Sequence, residues 1–192
     1  MSIKKKSTSP RLAETTRRSL KGKVEAPGSA QSAAERKAAD AQARALIAKF
    51  APAHEQLVSA VRKSLQKRLP TANEIIYEYR TWFVISYSPS EHGFEGVLAI
   101  RGDAVGVKFY FNRGKELPDP EKLLKGSAQV RFIDLESAST LTRPAVARLI
   151  DEAIAHNRVP FAPAGRGSVI LRSASATKRP PRKAPKPSAS AK

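Results

Sequence analysis

The stretch Val105-Gly106-Val107-Lys108-Phe109-Tyr110-Phe111 repeats with a period of two. Val105, Val107, Phe109 and Phe111 fall on one face of an extended chain, Lys108 and Tyr110 on the other, which predicts a strand with one buried face. Gly102-Asp103 just before it is a two-residue hairpin signal. Upstream, residues 96–101 and 82–88 are β-rich runs, and 74–80 alternates in part. A loop over 88–93 joins the earlier pair. Short connections between consecutive strands predict an antiparallel meander. Beyond a Pro- and Lys-containing loop over 112–129, residues 130–135 supply a fifth strand.

The period changes on either side of these strands. Leu46, Phe50, Leu57, Val61, Leu65 and Leu69 recur at roughly helical spacing with Lys and Arg between them, as in an amphipathic helix lying on an apolar surface. Pro52 removes a backbone donor and divides this pattern, leaving a helix over about 53–68 with Pro70 and Asn73 at its exit. After the strands, Pro144 opens a second helix with the stripe Val146, Leu149, Ile150, Ala153 and Ile154, which 157–160 stops. The expected fold class is therefore α+β: an antiparallel sheet of about five strands with N- and C-terminal helices packed on one face.

Charge divides the 192-residue chain in the same places. It carries 35 Lys and Arg against 17 Asp and Glu, net +18. Residues 1–45 hold +7, 46–163 only +3, and 164–192 +8, while all 12 aromatic residues lie between Phe50 and Phe161. The expected organisation is a basic, disordered extension over 1–45, a folded domain over 46–163, and a disordered Pro/Lys-rich tail over 164–192. Within the extension, Ala-rich 31–45 favours a helix by propensity, but its scarcity of large side chains predicts a solvated or fraying one. No apolar run follows Lys4-Lys5-Lys6 and no stretch is long enough to span a bilayer, so a cytoplasmic protein without membrane contact is expected.

Candidate chemistry is sparse. The absence of cysteine excludes disulfides, a thiolate nucleophile, Cys-ligated zinc and iron–sulfur clusters. His54, His92 and His156 have no metal-ligand spacing, and no P-loop or nucleophile elbow occurs. Glu74 and Glu78 share a strand face, as do Asp134 and Glu136. Both pairs read as solvated carboxylates with basic neighbours rather than as a cation or acid–base site. The best candidate anion surface is Arg113, Lys115, Lys125 and Arg131, where Gly114 and Gly126 let backbone amides approach a ligand. Gly165-Arg166-Gly167-Ser168 reads as linker. No catalytic residue, metal ligand or cofactor is expected.

Several segments resemble one known family. Leu69-Pro70 with Glu74-Ile75-Ile76-Tyr77, then Gly106-Val107-Lys108-Phe109-Tyr110-Phe111, Leu123-Leu124-Lys125-Gly126 and Val130-Arg131-Phe132-Ile133 look like the YdhG-like domain family, a domain of unknown function. Leu141, Pro144 and the 149–154 helix resemble its end, so the likeness covers about 46–160. The resemblance implies a compact domain with an antiparallel sheet, and some relatives are described as frataxin-like iron chaperones. A frataxin-type iron surface needs clustered exposed carboxylates. Here the first helix carries Arg62, Lys63, Lys67 and Arg68 with Glu55 as its lone acid, and Arg80-Thr81-Trp82 stands near the place of the familiar Gly-Met-Pro segment.

The functional expectation is a non-catalytic binding domain whose basic tails associate non-specifically with nucleic acid or another polyanion. The alternative is a small-ligand or iron-binding protein.

Overall fold

The computed structural model describes residues 31–173. The period-two region pairs as β1 (Asn73–Glu78), β2 (Trp82–Ser88), β3 (Leu98–Asp103) and β4 (Val107–Phe111), each antiparallel to the next. β5 (Arg131–Asp134) adds to β4 in the same sense. α1 (Ala33–Phe50) and α2 (Glu55–Arg68) precede the meander, α3 (Pro144–Ala155) follows it, and β6 (Val169–Ser173) closes the chain order. The sheet reads β5-β4-β3-β2-β1-β6, with β6 parallel to β1. The class is α+β.

Register explains which face is buried. Tyr87–Leu98–Phe111 and Ile85–Ile100–Phe109 align across three strands, with Ile133 continuing the second row on β5. These side chains join Ile47, Val61, Leu65, Leu149 and Ile150 from the three helices in one core. Val146, Leu149, Ile150 and Ala153 of the α3 stripe are buried, and Pro144 opens that helix. The helices thus share one face of the sheet.

Three expectations need correction. First, the folded unit is wider than 46–163. α1 starts at Ala33, behind a capping box in which Ser32 and Glu35 bond each other's backbone N–H. Ala39, Ala43 and Ile47, four residues apart, are buried, so small side chains make this face pack closely instead of leaving it in solvent. Second, the sheet has six strands. The segment read as linker docks: the Gly167 N–H donates to Pro70 O, and a Cβ at Gly167 would lie 1.9 Å from Ala72 O. Gln31 holds β6 from the other side, donating to and accepting from the Val169 backbone at 2.9 Å each. Third, the β3–β4 turn lies past Gly102-Asp103. Asp103 Oδ1 accepts from the N–H groups of Val105 and Gly106, which draws Val105 out of the strand to the tip, 93% exposed. The extensions 1–30 and 174–192 lie outside the described residues.

One ion cluster is buried in the helix–sheet interface. Arg62 of α2 donates through Nε to Glu74 Oε2 at 2.8 Å and through Nη2 to both Glu74 and Asp40 of α1. Arg62 and Glu74 are 7% and 2% exposed. Burial alone would depress the guanidinium's pKa, but the two carboxylates outweigh it and raise it. Glu74 is therefore an interior partner of Arg62, not part of a solvated sheet face. Glu78, near the surface, pairs with Lys49 at 2.8 Å.

Candidate functional site: the open face of the sheet

The face turned away from the helices is covered over only part of its area. The loop 89–97 folds onto it: Gly93 sits against the Tyr77 hydroxyl, Gly96 against Ser86, and Arg172 donates to Glu91 O at 2.8 Å. Ile75, Ser86 and Ala99 are buried on that side. A Cβ at Gly93 would stand 1.6 Å from the Tyr77 oxygen, so this close cover needs glycine there.

Beyond the loop the face is open and its side chains alternate aromatic with cationic. Strand alternation places Trp82 and Val84 of β2, Arg101 of β3, Lys108 and Tyr110 of β4, and Phe132 of β5 on it, all half-buried. Tyr79 stacks on Trp82 at 3.8 Å between ring centroids, and the Arg101 guanidinium lies 4.4 Å from the Trp82 centroid. Lys108 Nζ sits 4.4 Å over Phe132, whose ring is 5.4 Å from Tyr110. From β2 to β5 is three strand spacings, about 14 Å. An open depression of about 600 Å³ borders the patch, lined by Arg101, Lys108, Asp134 and His54 among others.

The charges here are positioned, not free to collapse. Arg101 pairs with Asp103 at 3.3 Å, and Lys125 with Asp134 at 2.8 Å. The hydrogen bond and charge of Asp134 raise the pKa of the Lys125 ammonium, so it stays protonated over a wide pH range. Tyr79 and Arg101 already lie against the Trp82 ring and Lys108 against Phe132, and aromatic rings beside fixed cations are the side-chain combination that meets unpaired bases and their phosphates.

Of the four residues expected to form an anion surface, only Lys125 borders this face. Arg113 pairs with Glu116, whose carboxyl is held below its ordinary pKa by that bond. Lys115 is exposed, and Arg131 packs over Gly114, where an added Cβ would meet its side chain at 2.4 Å. Gly114 serves packing there and does not open amides to a ligand. Asp134 pairs with lysines, Glu136 lies beyond β5, and His156 caps α3 with Nδ1 3.1 Å from Glu152. Trp82, Arg101 and Phe132 carry a signal too: alternation assigns them to the face opposite the core residues, as it does Lys108 and Tyr110.

Compared with protein-family models, curated proteins and solved structures, the chain matches none. No helix among the described residues is long and apolar enough to cross a membrane.

Proposed function

We propose that this protein is a non-catalytic binding domain for single-stranded nucleic acid, with the open sheet face as its stacking platform and the basic flanks as electrostatic aids. The observation that carries this reading is the interleaving of Tyr79, Trp82, Tyr110 and Phe132 with Arg101 and Lys108 on one uncovered surface. A duplex hides its base faces, whereas unpaired bases offer them to aromatic rings, each stack contributing about 1–3 kcal/mol. Residues 1–30 and 174–192 contribute +6 each to the net charge and contain no aromatic residue, so they add affinity without base preference. Membership of the YdhG-like family is part of the proposal: the segments that resemble it include β1, β4, β5 and α3.

The alternative reading is a small-ligand or iron-binding protein; for iron, no three His, Asp or Glu side chains among the described residues group so as to hold a metal ion.

Trp82 is the only tryptophan, so its fluorescence reports directly on the platform. Titration of the full chain with an unlabelled oligo(dT) should quench that emission, and Phe132→Ala with Arg101→Ala should weaken binding by about tenfold or more. Equal affinity of the wild type and the double variant, or tighter binding to duplex than to the single strand, would reject the platform and leave the flanks alone.

A further inference from the structure

A second feature lies on the helix side of the sheet, independent of the open face. Between the start of α1, the end of α2 and the β1–β6 edge is a cavity of about 370 Å³, within the range of small-molecule sites. Arg36, Glu74, Tyr87 and Arg166 contribute to its lining. Three polar atoms at this place are buried without a hydrogen-bond partner: Glu74 Oε1, Tyr87 Oη and Arg36 Nε. Buried polar groups are nearly always satisfied, and three orphans around one cavity point to a missing occupant.

The orphans differ in kind. Glu74 Oε1 can only accept. Arg62 already engages Oε2, so this oxygen is left for another donor. The Tyr87 hydroxyl is held protonated, because burial first, then the charge of Glu74 and hydrogen bonding toward its carboxylate raise the pKa; its hydrogen thus faces Glu74, its cross-strand partner, and its oxygen is left to accept. Arg36 Nε is a charged donor whose neighbouring Nη1 is taken by Gly167 O. The cluster also has one cation too many at its mouth. Arg62 consumes both Asp40 and Glu74, and among the described residues neither Arg36 nor Arg166 has a carboxylate within ion-pair distance. Burial and then the charge of Arg166 lower the pKa of Arg36 by more than the charges of Asp40 and Glu74 raise it.

We propose that this cavity binds a small zwitterion of amino-acid size, its amine donating to Glu74 Oε1 beside Tyr87 and its carboxylate or phosphate lying between Arg36 and Arg166. One end needs a donor and the other an anion. A simple anion would leave the Glu74 oxygen orphaned, and a simple amine would leave the arginines uncompensated. The bidentate fork of arginine suits either acid group.

The test uses the full chain and three sets of probes, read by thermal shift and calorimetry. The first set is the common L-α-amino acids, the second is phosphoethanolamine, and the third holds acetate, inorganic phosphate and ethylamine. At least one zwitterion should raise the melting temperature and give a calorimetric affinity, the first two sets telling carboxylate from phosphate. The single-function probes should not. Arg166→Ala, at an exposed position, and Tyr87→Phe, of nearly the same shape, should melt like wild type without ligand yet bind the responding zwitterion about tenfold more weakly or worse. No response to any zwitterion, an equal response to acetate or phosphate alone, or undiminished binding by both variants would overturn the proposal.

Discussion

Arg62 and Glu74 meet inside the protein, Nε to Oε2 at 2.8 Å, joining α2 to β1 where both side chains are almost out of water. Two ions in that position are stable only together. Removing one leaves the other charged without a partner, which costs more than the pair gains.

Arg62→Met should therefore destabilise the fold by about 3–5 kcal/mol, and combining it with Glu74→Gln should recover part of the loss. Urea unfolding of the two single variants and the double variant checks this. Additive losses would show that the two residues are not coupled.

The limits of the folded unit give a second prediction. A fragment of residues 31–173 should melt cooperatively near the temperature of the full chain. A fragment of 46–163 should not, since it lacks the Ala39 and Ala43 face of α1 and all of β6. Circular dichroism melts of both decide it; a cooperative transition of 46–163 at the same temperature would make those elements dispensable.

Gly167 is where the chain enters β6 against the backbone of Ala72. Gly167→Ala forces a Cβ onto a carbonyl that no rotamer change can move. The expected loss is about 1–3 kcal/mol, with faster hydrogen exchange in β6 than in β3. Wild-type stability in the variant would contradict the packing.

Tyr87 makes alkaline stability steeper. Its folded pKa lies well above 10.0, for the reasons of burial and the Glu74 charge. The contribution is fully present below pH 10.0 and is withdrawn above it, because the unfolded chain releases a proton that the folded chain keeps. Tyr87→Phe should remove up to about 1.4 kcal/mol per pH unit of that decline while changing stability at pH 7 by less than about 1 kcal/mol. Parallel unfolding series from pH 9 to pH 11 show it as a difference in slope.

Much of this architecture is legible in the residues. Val107, Phe109 and Phe111 alternate because one face of β4 is dry, and Val146, Leu149, Ile150 and Ala153 recur by threes and fours because one side of α3 is dry. The ends of the unit are not legible in the same way. Ala39 and Ala43 have little apolar surface to announce burial, and Val169–Ser173 is a five-residue strand whose partner residues in β1 lie 95 positions earlier. The anion surface expected at Arg113, Lys115, Lys125 and Arg131 illustrates the same gap. Arg131 packs over Gly114 between Arg113 and Lys115, but Glu116 engages Arg113 and Asp134 engages Lys125, and neither pairing can be read from the local sequence.

By itself the sequence determined the α+β class, the meander, the faces of α2 and α3 and the charge of the two flanks, because each rests on side-chain period or on a count of charges. Tertiary structure alone decided that Glu74 is an interior ion, that Tyr79 stacks on Trp82 where the sheet face stays uncovered, and that Arg36, Tyr87 and Arg166 surround one cavity. Those groups come together from strands and helices distant along the chain. Their burial and pairing follow from which faces the fold brings into contact, and a local pattern of residues does not encode that.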